Sequence, residues 1–340
     1  MRLFFRSVVA SAALLTGVSA AAANGPAFER QPDIAAPDGH WDFASWDAGH
    51  RRVIVAHGKD ALLIDPADPA ALRKIGELDG AHAALAIPGG DDLLISSGHD
   101  NTVRILDMMS GAQLASIPVV GDPDATVLST DGRTAYVMGG DSGAISIIDL
   151  DRRVETARLT IKPGLEVPVL FGQHMLAVND EDLGEIELVD LVKGKMTGTI
   201  PMPGCKGPTG LAYAPRYGLA LSSCANGKAA LVDLRRRRVV KMVPIGLGPD
   251  TAIWDAARRH FLVPCGKSGS LSVIALGKHG PRRVATVPTE LSARTAALDP
   301  VTGRLYLPAA RFAPAPAGKR PDIIPGSFHI VVLAPRGRGS

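Results

Sequence analysis

Residues Val103–Thr126 read VRILDMMSGAQLASIPVVGDPDAT, and their order decides the fold. An alternating apolar run from Val103 to Asp107 meets a turn signal at Met109-Ser110-Gly111. A second run, Leu114 to Val119, leads into a Gly-x-Pro-Asp loop. Such a pattern describes a β-hairpin with a tight exit. The same order returns as ISIIDLDRRVETARLTI from Ile145, IELVDLVKGKMTGTIPM from Ile186, AALVDLRRRRVVKMVPIG from Ala229 and LSVIALGKHGPRRVATVP from Leu271, with an earlier copy from Leu62.

Aligning the residue that follows each exit loop gives Asp42, His82, Asp124, Glu166, Thr209, Asp250 and Arg294. The separations are 40, 42, 42, 43, 41 and 44 residues, so seven copies share a period of about 42. A repeat of this length with four short strands per copy predicts an all-β fold, a seven-bladed β-propeller. The last copy supplies only three strands. The segment Phe28 to Asp38 is expected to add the fourth and close the ring, covering edges that an open stack would expose.

The 340 residues are thus assigned to one propeller domain, residues 24–340, behind a signal peptide, residues 1–23. Arg2 and Arg6 form a basic start, Val8 to Val18 is mostly apolar, and Ser19 to Ala23 supplies small residues for cleavage. No later stretch approaches the ~20 apolar residues of a membrane helix, so an exported, periplasmic or secreted, soluble monomer is expected. Losing the two arginines takes the formal charge from +3 to +1, which points to no class of partner. Aromatic residues make up only 4%, leaving Val, Ile, Leu and Ala to fill the space between blades.

Antiparallel strands alternate ends, so the exit loops and the loops between the second and third strands share one face. That face collects Asp42, Asp60, Asp100, Asp124, Glu166, Asp180, Glu181, Asp182 and Asp250 with His57, His82 and His99. The opposite turns collect Arg51, Arg52, Arg152, Arg153, Arg258, Arg259 and the run Arg235 to Arg238. One face therefore reads as acidic and the other as basic. A proline-rich insertion, Arg311 to Gly326, is expected to lean over the acidic face.

Of three cysteines, Cys205 closes one exit loop and Cys224 lies in the next loop on the same face, so a Cys205–Cys224 disulfide is expected. Cys265 occupies the position matching Cys224 one repeat later, and Cys224–Cys265 is the competing pair. No CxxC spacing or flanking histidine suggests a thiolate metal site.

The motifs H-W-D-F from His40, the Gly-x-Pro-Asp exits at Gly121 and Gly248, C-K-G-P-T-G-L-A from Cys205 and A-R-T-A-A-L-D-P-V-T-G-R-L-Y-L-P from Ala293 resemble the YVTN-repeat, YncE-like family of exported bacterial seven-bladed propellers. The resemblance spans roughly Phe28 to Pro335, with Cys265 a departure from its usual small polar residue. It implies the scaffold and an extracytoplasmic location, and a role in binding an unidentified small ligand or exported protein.

One residue per repeat at the start of the innermost strand should ring the channel mouth. Asp42, His82, Asp124, Glu166 and Asp250 are candidate ligands for a divalent cation. Arg294 is suited to pairing a carboxylate or phosphate, and Thr209 completes the ring. Two other classes compete. A propeller hydrolase, lactonase or quinoprotein-type enzyme would use the same mouth, but the chain has no GxSxG or HExxH motif. Nucleic-acid binding would use the basic face, where no aromatic stacking platform accompanies the arginines.

Overall fold

The computed structural model describes residues 27–278, 280–314 and 321–336. The expected signal peptide lies outside the described residues. Twenty-eight strands form seven four-stranded antiparallel sheets. Blade one comprises Ala44–Asp47, Arg52–His57, Asp60–Ile64 and Arg73–Ile75. Blade two runs from Ala81–Ala86 to Gln113–Pro118, blade three from Pro123–Leu128 to Val154–Thr160, and blade four from Leu165–Phe171 to Lys195–Pro201. Blade five runs from Pro208–Ala214 to Arg238–Pro244, and blade six from Ile253–Asp255 to Gly280–Pro288. Blade seven is composite: Ala297–Leu298, Leu305–Ala309 and His329–Pro335 accept Phe28–Ala35 as outer strand. Phe28 pairs with Pro335 and Ala35 with His329, the closure expected from the missing fourth strand.

Alternation along each strand sends side chains to both faces of a blade, and both faces are covered by neighbours. Seven buried clusters result among the described residues, each joining two adjacent blades. Most are aliphatic, as Val53, Val55, Leu62 and Ile64 illustrate. Aromatics gather at the seam between blades seven and one, where Trp46 stacks on Tyr306 with ring centroids 5.8 Å apart. Each such side chain contributes about 1.5–3 kcal/mol on burial, so the seam is stabilised by packing as well as by strand pairing.

The turns on the basic face follow one rule that the charge sorting did not include. An aspartate ends the strand before the turn, and its carboxylate accepts backbone N–H bonds from residues two or three further on. Asp47 accepts from Gly49 and His50, Asp107 from Met109 and Ser110, Asp190 from Val192 and Lys193, and Asp233 from Arg236. Several also pair with the turn's own cation: Arg236 with Asp233, Arg258 with Asp255 and Lys193 with Asp190. Some of the basic charge on this face is therefore paired within its own turn.

Cys205 and Cys224 are joined by a disulfide with a Cα–Cα distance of 5.4 Å. Cys265 is free and buried. The competing Cys224–Cys265 pair does not form. No helix is long and apolar enough to cross a membrane among the described residues.

Candidate functional site

The inner strands of blades two to five each begin with a shift in register: between Ala81 and Ala84, Pro123 and Thr126, Leu165 and Pro168, and Pro208 and Leu211. A bulge re-aims a side chain that regular pleating would direct elsewhere. His82, Asp124, Glu166 and Thr209 sit at those shifts. In blades one, six and seven the corresponding Asp42, Asp250 and Arg294 precede the regular inner strand, where the backbone is not yet committed to ladder pairing. Residues far apart in sequence consequently meet at the channel mouth.

They meet as pairs rather than as an even ring. His82 Nδ1 lies 2.7 Å from Asp42 Oδ2 and 3.6 Å from Asp124 Oδ1. Across the mouth, Arg294 Nε donates to Asp250 Oδ2 at 2.6 Å, while its Nη2 donates to the Trp41 carbonyl at 3.2 Å and stands 3.6 Å from Asp42 Oδ1. The Arg294 guanidinium also lies over the Trp41 ring, 5.8 Å from its centroid. Glu166 is hydrogen-bonded to Glu181, a residue of the adjacent loop of its own blade. Thr209 is buried and donates its hydroxyl to the Pro249 carbonyl at 2.9 Å, tying blade five to blade six. Thr295 to Asp42 O and Ser96 to Asp124 O make equivalent ties.

Electrostatics follow from this geometry. The Asp42 hydrogen bond raises His82 to about 9, against the effect of burial. Burial, reinforced by the charge of Asp42, pushes Asp124 up to about 7. Asp250 rises to about 6 because burial outweighs its pairing with Arg294. Burial together with the charges of Asp124, Asp250 and Glu181 pushes Glu166 up to about 10. Arg294 is disfavoured by burial but held charged by Asp250 and Asp42. The carboxylates remain open to the bore, with side-chain exposures of 19% for Asp42 and 23% for Asp124 and Asp250, so an ion from solvent can reach them.

Of the five residues expected to hold a cation, Asp42, His82 and Asp124 have donor atoms all within 4.8 Å of one another. Asp250 is engaged by Arg294, and Glu166 by Glu181. Asp124 Oδ1 has no solvent exposure and no hydrogen-bond partner. Such an atom calls for a proton or a cation.

The base of the insertion flanks this arrangement. Phe312 and Ile323 bridge its two arms, and the Phe312 ring lies 6.0 Å from Trp41. Asp38 accepts N–H bonds from Gly326 and Phe328, anchoring the returning arm. Trp41, Glu181 and Phe312 were not singled out as site residues. Trp41 lies in the H-W-D-F motif one position before Asp42, which was the available signal. A different cleft, of about 430 Å³, opens on the opposite face and is lined by Asp131, Tyr136, Phe171 and His174. Its carboxylate Asp131 is already engaged by the Ser129 hydroxyl and the Arg133 N–H.

Comparison with known proteins bears on the scaffold. No family model matches the sequence, and no curated protein matches it significantly. Among solved structures, a chain of Kuenenia stuttgartiensis hydrazine synthase superposes with a TM-score of 0.70 at 15% identity, covering 82% of this chain and 93% of that one. A chain of a mitotic checkpoint complex superposes with a TM-score of 0.75 at 14% identity, covering 98% of both. At these identities the likeness concerns architecture alone. The chain is a seven-bladed β-propeller.

Proposed function

We propose that this chain is an exported binding scaffold of the YVTN-repeat, YncE-like kind, and that its channel mouth takes up a divalent cation on Asp42, His82 and Asp124. The observation that carries the reading is Asp124 Oδ1, enclosed, without a hydrogen-bond partner and within 4.8 Å of donor atoms from the other two residues. One imidazole and two carboxylates suit a borderline ion of the zinc or manganese type. Asp250 beside this triad is offset by Arg294, which together with Trp41 offers a neighbouring place for an anionic group of a ligand. The motifs from Cys205 and Ala293 and the Cys205–Cys224 bridge support export.

Isothermal titration of chelator-treated protein with zinc and manganese tests the reading. One equivalent should bind, and Asp124→Asn combined with Asp250→Asn should abolish that uptake with the fold intact by circular dichroism. His82 and Asp124 must give up protons to the ion, so affinity should keep rising with pH through about 7 and up to about 9, and proton release should accompany binding. Full affinity in the double variant would refute the assignment to the mouth.

A further inference from the structure

Blade four departs from the other blades at three positions that the fold places together. Strand pairing sets Asp180 opposite Glu185 and Val178 opposite Glu187. The same register puts Gly139, Ala144 and Ser146 at these places in blade three, Cys224, Lys228 and Ala230 in blade five, and Cys265, Ser270 and Ser272 in blade six. In blades three and six the serine matching Glu187 accepts a backbone N–H from the preceding exit loop, Val120 to Ser146 and Gly246 to Ser272. The architecture is therefore satisfied without carboxylates at these places. Three carboxylates at the same places need another explanation.

Their surroundings sharpen it. Asp180 and Glu187 are both 0% exposed. Asp180 Oδ1 accepts the Leu183 N–H at 2.8 Å, but Oδ2 has no partner, and neither oxygen of Glu187 has one. One oxygen from each of Asp180, Glu185 and Glu187 lies within 4.8 Å of the others. The one ammonium nearby, Lys162, is hydrogen-bonded to Glu185 and stands 3.6 Å from Glu187. Three carboxylates against one lysine leave a deficit of positive charge in a closed space, which is costly unless a cation or protons offset it. Burial, reinforced by the charges of Asp180 and Glu185 and opposed by the charge and backbone N–H of Lys162, pushes Glu187 up to about 7, and burial shifts Asp180 upward as well.

We propose that Asp180, Glu185 and Glu187 form a second binding site in blade four, for a hard divalent cation of the calcium class. The donors are all oxygen, without the imidazole of the channel mouth. Calcium–oxygen distances of about 2.3–2.6 Å allow two ligands on opposite sides of one ion to lie up to about 5.2 Å apart, so oxygens within 4.8 Å of one another can share one calcium ion. Glu185 is partly exposed, and the loop Glu181 to Gly184 that joins the two strands faces solvent, giving the ion a route in.

The test is calcium titration of the full chelator-treated chain at pH 8, read by calorimetry and by melting temperature. The wild type and the Asp124→Asn/Asp250→Asn variant should each bind one calcium and melt higher with it. Glu187→Gln should lose at least roughly tenfold in affinity and most of the melting shift. Should Glu187→Gln not fold, Asp180→Asn gives the same readout. Absence of a calcium response in the wild type, or an undiminished response in the Glu187 or Asp180 variant, overturns the proposal. The channel-mouth reading is unaffected by either result, since it is read with zinc or manganese on a different triad.

Discussion

Replacing Glu166 by Gln should make the stability of the protein less sensitive to alkali. Glu166 is pushed from an ordinary value of 4.5 to about 10 by burial and by its acidic neighbours. Its folded-state pKa exceeds its unfolded one, so the folded chain holds a proton that the unfolded chain releases. The contribution is whole below about pH 4.5 and is lost as pH rises toward about 10. One proton bound on folding corresponds to about 1.4 kcal/mol per pH unit, so raising pH from 6 to 8 removes at most about 2.7 kcal/mol through this residue. Water in the bore lowers the figure by screening the neighbouring charges. Glutamine keeps the shape of the neutral acid and has no proton to lose. Urea unfolding of both proteins at pH 6, 7 and 8 measures the effect. The variant should gain on the wild type by about 1–2.7 kcal/mol across that range. A stability difference that does not change with pH would refute the raised pKa of Glu166.

Deleting residues 28–35 removes the outer strand of blade seven and the burial of Phe28 and Ile34, which alone is worth roughly 4 kcal/mol. The deletion should melt far below the parent or aggregate in size-exclusion chromatography, and parental melting would contradict ring closure. Replacing Cys205 and Cys224 together by Ser should cost about 3 kcal/mol for a bridge spanning 19 positions, measured by denaturant unfolding. Peptide mapping without reductant should link only those two, and a peptide containing Cys265 bridged to either would contradict the pairing. Changing Arg235 to Arg238 into serines should leave cation uptake unchanged in the same calorimetric titration, because these residues form a turn and the start of the following strand on the far face.

The period, the number of blades and the identity of the closing strand were legible because each copy repeats one alternation and the last lacks a strand. The seven mouth positions were legible for the same reason: equal sequence spacing becomes equal height in a ring. Their partnerships were not. Arg294 reaches back to Asp250 and Trp41, and His82 to Asp42, because side-chain length and local bulges decide lateral reach, and a repeat alignment carries neither. The strand-ending aspartates were visible in the I-D and V-D pairs of the repeats, yet their role depends on turn N–H groups that appear only once the hairpin is formed. Glu187 reads in sequence as an ordinary polar strand residue, and its enclosure arises from the exit loop carrying Lys162.

Anomalous diffraction from crystals soaked in zinc or manganese, collected at the metal edge, tests the central claim most directly. A peak enclosed by Asp42, His82 and Asp124, absent in the Asp124→Asn/Asp250→Asn variant, is the predicted result. A fully loaded crystal with no density at the channel mouth, or with metal bound only elsewhere on the ring, would contradict it.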